Sequence, residues 1–240
     1  MLRPFVLALA SVALAGCGGG PAEVREAPRP GPSDQPRSVE PSSSSPSSAP
    51  SSTPSSEPSE RSDRPRPSEG TPAAATLTVP RLGLRQLDVV AYRGRTDDAR
   101  GTAIQNGGDL ASPHGPGGGT GPGGIGNYQV TGHRLSSTAP FRYLPRLARG
   151  DVVHVESGGS RYVYRIVATR ETSFRSAASL REQRAAVPGR PGAEPTRAML
   201  TLSTCATLED HAAGNYWADR FDNPEHRIDK IGVLVRVRRA

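Results

Sequence analysis

Two side chains of this sequence could carry acyl-transfer chemistry, and each closes a short apolar run. Cys205 ends Thr201-Leu202-Ser203-Thr204-Cys205, behind Met199 and Leu200. The alternation predicts a buried strand, which would hold the thiol on rigid backbone at its end. His133 follows Tyr128–Thr131 and Gly132 in the same way. A thiolate nucleophile with an imidazole as acid and base is the minimum equipment for thiol acyl transfer. The reaction also needs an oxyanion stabiliser, and a fixed guanidinium can serve. Arg227, at the start of the alternating run through Ile231, Val233, Val235 and Val237, is a candidate for that role. Each residue has a plainer reading. Free cysteine is among the most buried residue types, and Arg227 belongs to a chain whose 30 basic residues include a single lysine.

The other chemical patterns are weaker. Gly119, Gly121 and Gly124 fit the spacing of a dinucleotide fingerprint, but Pro122 interrupts it and no helical pattern follows. The Gly/Pro-rich run 113–126 reads instead as a loop that gives mobility or close backbone approach beside a site. His211 and His226 flank a polar loop with Asp210, Asp219, Asp222 and Glu225, without EF-hand or zinc spacing. The mechanism implies no metal or organic cofactor, and calcium modulation stays open. His154 sits inside an alternating strand and reads as structural; His114 has no evident partner.

The elements that must position the thiol and imidazole are mostly short strands. Apolar or alternating runs at 76–79, 87–91, 128–131, 151–156, 161–169, 199–204 and 228–237 are separated by Gly/Pro turns. Gly158-Gly159 joins two of them as a hairpin. Residues 94–111 lack clean periodicity, and 140–147 reads as a short helix. Ser179 with Glu182 has the form of a capping box opening another. The pattern predicts a mainly all-β fold, a closed antiparallel or mixed barrel with short helices. Two reactive side chains at strand ends would then face each other across one barrel mouth.

The amino end is a targeting segment. Arg3 precedes an apolar run from Phe5 to Leu14, closed by Leu14-Ala15-Gly16-Cys17. That run is short for a membrane span and fits a secretory signal. The tetrad resembles a bacterial lipobox, in which Cys17 would be lipidated and become the mature amino terminus, with multiple acyl chains giving stable anchoring. Cys205 is then left without a disulfide partner in an exported protein, which favours a reactive role. Residues 18–75 are rich in Ser, Pro, Glu and Arg, cannot bury enough apolar surface to offset chain entropy, and read as a disordered tether. Residues 76–240 form the catalytic domain.

The net charge of +7 divides unevenly, −1 before Thr76 and +8 from there on. No basic run interleaves with aromatics, which argues against a nucleic-acid partner. Acidic wall polymer, lipid headgroups or simple solvation suit the basic surface.

Taken together, Thr201–Cys205 resembles the signature strand of the sortases, and Thr131-Gly132-His133-Arg134 resembles their histidine motif, in the expected order. Val79–Leu84, Gly126-Asn127 and Phe141–Asp151 extend the likeness over nearly all of 76–237. The resemblance implies an eight-stranded sortase barrel and a cysteine transpeptidase. Such an enzyme cleaves an LPXTG-like sorting signal on exported proteins through a thioester and passes the acyl group to a cell-wall or pilin amine. It implies Cys205 as nucleophile, His133 as general acid/base, Arg227 for substrate and oxyanion, and Thr204 as a residue lining the site.

The sequence departs from the family pattern in three ways. The anchor is lipoprotein-like, a long Gly-rich insert precedes His133, and residues 206–226 separate the cysteine from the arginine. Aligning Lys230-Ile231 with the family's usual post-arginine pair would put Asp229 on the catalytic position. Arg227 is preferred on role, with Arg220 as runner-up. The actinobacterial class E and F types are the most similar. A sortase-fold hydrolase and a non-enzymatic peptide- or wall-binding lipoprotein are the alternatives. The L,D-transpeptidase Ser-His-Gly-Cys run is absent.

Overall fold

A computed structural model describes residues 66–240. The predicted signal segment, Cys17 and most of the tether lie outside the described residues. Eight strands close a barrel: β1 (Ala75–Val79), β2 (Leu84–Arg93), β3 (Leu110–His114), β4 (Gly126–Thr131), β5 (Val152–Ser157), β6 (Ser160–Ser173), β7 (Ala198–Cys205) and β8 (His226–Arg239). Their order around the barrel is β1-β2-β3-β4-β7-β8-β6-β5. The pairs β2–β3 and β4–β7 are parallel and the others antiparallel, so the barrel is mixed. Parallel neighbours need a crossover. Helix α1 (Ala99–Asn106) lies in the first, and helix α2 (Ala177–Arg184) precedes β7 in the second. A third helix, α3 (Thr207–Ala212), follows Cys205 at once. No helix among the described residues is long and apolar enough to cross a membrane.

Alternation decides what each strand buries. Leu77 and Val79 of β1, Val153 and Val155 of β5, and Leu200 and Leu202 of β7 enter one apolar core. In β7 the intervening Thr201 and Ser203 are also buried, so a second layer covers the barrel's outer face there. Gly158 and Gly159 both have positive φ, which the tight β5–β6 hairpin requires.

The sequence-based expectations hold for seven of the eight strands, miss β3, and shift for the connections. The stretch without periodicity, 94–111, contains α1 and the start of β3. This helix carries little apolar character to reveal it; Asp98 caps it, its side chain accepting from Gly101 N at 2.9 Å. The expected helix at 140–147 is only a 3-10 turn, Leu144–Arg146, with Pro145 inside it. Helix α2 exists, but its cap is Ser176, which accepts from Ser179 N at 3.2 Å. Ser179 instead accepts from Ser173 N, and Glu182 pairs with Arg170. Order also begins before the expected boundary at 75. Ser68 N donates to Gly123 O at 2.9 Å and Gly121 N to Gly70 O at 2.7 Å. A Cβ on Gly121 would sit 2.1 Å from Thr71 O, so the loop needs glycine where this segment crosses it. Of the two roles considered for these glycines, close backbone approach is the one seen.

Candidate active site

The register of two strand pairs assembles the site. Strand β4 runs parallel to β7 and ends with Thr131 opposite Ser203. His133 and Cys205 therefore stand at equivalent places, each two residues further along neighbouring chains. On the other side of β7, antiparallel β8 puts Arg227 directly opposite Cys205. One thiol, one imidazole and one guanidinium are brought to neighbouring strand ends by this register.

The site lies on the outer face of the barrel, not across its mouth as expected. Cys205 has the parity of Thr201 and Ser203, whereas Leu200 and Leu202 point into the core. The outer face is covered by a polar layer beneath α2. Thr201 Oγ1 donates to Asn127 Oδ1 (2.7 Å), Asn127 Nδ2 to Gln183 O (3.0 Å), and Gln183 Nε2 to Asp229 Oδ1 (3.0 Å). Thr172 Oγ1 donates to Asp229 Oδ2 at 2.6 Å. Asp229 thus belongs to the seat of α2, while Arg227 faces the thiol.

Arg227 is 1% exposed. Its guanidinium carbon lies 4.2 Å from the centre of the Phe174 ring, and its Nε donates to Asp97 Oδ2 at 3.3 Å. Nη1 and Nη2 are buried with no hydrogen-bond partner among the described residues. Burial alone would lower the Arg227 pKa, but the Asp97 carboxylate and the Cys205 thiol hold it above its ordinary value. The runner-up, Arg220, is exposed in the β7–β8 connection, stacked over Phe221.

His133 accepts its orientation from α1. Its Nε2 lies 2.7 Å from Asn106 Oδ1. An oxygen there fits an Nε2–H tautomer, which leaves Nδ1 as the basic nitrogen. Desolvation lowers the His133 pKa, with Arg227 adding to it and Asp97 opposing. Burial pushes the Cys205 thiol up; Arg227 pulls it down and Asp97 pushes it up. Both directions favour the neutral thiol–imidazole pair at rest, with thiolate–imidazolium as the minor form.

Thr204, expected to line the site, has another place. It is 2% exposed, and its Oγ1 donates to Gly132 O at 2.8 Å. It braces the backbone that carries His133. A Cβ on Gly132 would come within 2.5 Å of Leu110 Cδ2, so any larger residue there has to displace Leu110 to keep that brace. Arg134 completes the frame: Nη1 donates to Cys205 O at 3.2 Å, and the fork grips Glu209 of α3, with Nη2 to Oε1 at 2.9 Å.

A groove of about 490 Å³ opens beside this centre, lined by Arg95, Gly117, Leu180, Arg181, Arg184 and Pro191 among others, with no carboxylate. None of Cys205, His133 and Arg227 lines it. It approaches them through Thr96, whose hydroxyl accepts from Arg184 Nε at 3.1 Å. Among the described residues no group of three His, Cys, Asp or Glu side chains could hold a metal ion. His226 bonds Asp210 at 2.6 Å, and His211 stacks on Tyr216. Cys205 is the free cysteine of the described residues.

A lone thiol with an imidazole and a guanidinium at the strand ends of a closed mixed barrel defines a cysteine-enzyme site. A family model described as a sortase domain matches residues 77–219. The chain belongs to the sortase family. Sortase SrtE1 of Streptomyces coelicolor is 31% identical over 80 residues, which are 33% of this chain and 22% of that protein. Among solved structures, the SrtA sortase from Actinomyces oris superposes with a TM-score of 0.54 at 19% identity, covering 75% of this chain and 90% of that one. Sortase E1 from Streptomyces coelicolor, solved with a tripeptide in its active site, gives 0.52 at 22%, covering 72% and 94%. The family match ends before β8, so Arg227 rests on geometry.

Sequence reasoning missed Asp97, Asn106, Phe174 and the bridging role of Arg134. Arg134 lies inside the histidine motif itself. The other three carry no local signal, because each meets the site only through the closed barrel.

Proposed function

We propose that this protein is an extracytoplasmic sortase, a cysteine transpeptidase held to the outer membrane face through lipid on Cys17. It cleaves an LPXTG-like sorting signal and transfers the acyl group to a cell-wall or pilin amine. The observation that carries this reading is Arg227 opposite Cys205 with both Nη groups unpartnered, beside an imidazole already oriented by Asn106. Cys205 gives its proton to His133 and attacks the carbonyl carbon of the Thr–Gly bond. Negative charge develops on the carbonyl oxygen, and the Nη donors of Arg227 stabilise it. The intermediate collapses, the C–N bond breaks, and imidazolium protonates the departing amine. A thioester remains on Cys205. The acceptor amine attacks it, His133 takes the amine proton, and the thiol leaves protonated. The groove along α2 receives the extended peptide, and its arginines favour a signal with acidic neighbours.

The test is thioester capture. The full-length protein incubated with a sorting-signal peptide should yield an acyl adduct on Cys205, and Cys205→Ala none. Equal labelling of both proteins sinks the reading. Products formed with and without an added amine distinguish transfer from hydrolysis.

A further inference from the structure

Asp97 bonds Arg227 directly and its charge acts on both Cys205 and His133, yet nothing in its neighbourhood of sequence marks it. It lies between β2 and α1 with a left-handed backbone, φ 58, unusual for a residue with a side chain. Its carboxylate is nearly enclosed, the side chain 6% exposed against 1% for Arg227. Each oxygen has its own partner. Oδ2 accepts from Arg227 Nε at 3.3 Å, and Oδ1 lies 3.5 Å from Nε2 of buried Gln105 in α1. The next residue of the same helix, Asn106, holds His133. One short helix thus fixes both the imidazole and the carboxylate. Asp98 caps that helix, accepting from Gly101 N and Arg95 N, and so anchors the strained turn from below.

A guanidinium has five donors. Were a carboxylate to grip Arg227 by its fork, the Nη groups would be consumed. Here it takes the Nε edge, Phe174 covers one face, and Nη1 and Nη2 stay buried and unpartnered. A buried donor without a partner is costly, and the cost is relieved when a carbonyl oxygen enters.

We infer that Asp97 is a positioning residue of this site: it holds Arg227 by the Nε edge so that both Nη donors remain free for the substrate's carbonyl oxygen. The inference rests on the transpeptidase reading for what the Nη donors meet, but not for the placing of Arg227. Its negative charge has a second consequence. It offsets the pull of Arg227 on the thiol and supports protonation of His133. Asp97 therefore moves both titrations of the pair upward together.

The experiment compares Asp97→Asn and Asp97→Gly with the parent, in the full-length protein. Both variants tolerate the left-handed backbone and both remove the charge. The first readout is the pH dependence of Cys205 alkylation by iodoacetamide, which needs no peptide. Its midpoint should fall by about one pH unit in both variants, as expected for a charge removed from close range. Asp98→Asn, which removes the neighbouring charge but keeps a side chain able to cap the helix and hold the turn, should leave the midpoint where it was. The second readout is peptide cleavage: kcat should drop tenfold or more with KM changed much less, and the activity window should move to lower pH. An unmoved alkylation midpoint in both Asp97 variants overturns the inference, whatever happens to stability. A shifted midpoint in a protein that cleaves no sorting peptide keeps the role of Asp97 and removes the transpeptidase reading instead.

Discussion

Arg227 carries a charge in a fully buried position, stacked on Phe174 and joined at Nε to Asp97. Removing one partner of such a pair leaves the other uncompensated, which costs ~3–5 kcal/mol. Arg227→Ala is expected to be destabilised on that scale in a denaturant titration. Its Cys205 should also alkylate with a midpoint moved to higher pH, because burial already pushes the thiol up and the opposing guanidinium is gone. Arg227→Lys keeps a charge without the planar fork. It should bring the midpoint back toward the parent without restoring peptide cleavage. A lysine variant as active as the parent would show that charge alone suffices. Gly132 is the second sensitive position. Its Cβ would meet Leu110 at 2.5 Å and Phe141 at 3.0 Å. Overpacking of this kind costs ~1–3 kcal/mol, and Gly132→Ala should slow cleavage further by moving His133 off Asn106. Unchanged kcat in that variant would show that the brace from Thr204 tolerates the shift.

Between residues and molecule stand two helices that no periodicity announced in full. Helix α1 supplies Gln105 and Asn106 to the site, and α2 closes the polar layer over β7 and β8. That layer contains Asp229, whose pKa burial raises, against the opposing hydrogen bonds from Ser203, Thr172 and Gln183 and the charge of Arg227. A folded-state pKa above the unfolded one means that the native state holds the proton more tightly. The stability so gained is complete below the unfolded range, about pH 4, and is lost as pH rises through the folded value. Asp229→Asn removes the titration and keeps an acceptor for Gln183. Its melting temperature should match the parent in acid and exceed it increasingly toward neutral pH. A gap that is constant or reversed across that range would remove Asp229 as the source. The strands were legible because half-buried β-structure alternates with period two. Helix α1 was not, because its contacts to the site are polar and it shows no apolar stripe.

At the scale of the molecule, a basic folded part follows an apolar amino end that closes on Leu14-Ala15-Gly16-Cys17. The proposed anchoring makes a direct prediction: Cys17→Ala should abolish labelling by a fatty-acid analogue and move the protein from the membrane fraction to the medium. Retention of the variant in the membrane fraction would assign the anchoring to the apolar run itself. The order seen from Ser68 to Thr71 shortens the predicted tether, because that segment hydrogen-bonds with the Gly-rich loop. Its partners lie some fifty residues downstream, beyond the reach of composition.

The sequence by itself determined the barrel class and the placing of one thiol and one imidazole at strand ends. Alternating runs announce strands, and thiol and imidazole at their ends are local facts. It left Arg227 and Arg220 competing, because one opens the last strand, the other lies a few residues before it, and nothing local separates a buried guanidinium from an exposed one. Only the tertiary structure decided between them, through the antiparallel register that sets Arg227 opposite Cys205. It also decided that the site faces outward, since parity is defined only once Leu200 and Leu202 have a core to enter. And it brought in Asp97, 130 residues before its partner. Charges that distant in the chain become neighbours only when the barrel closes.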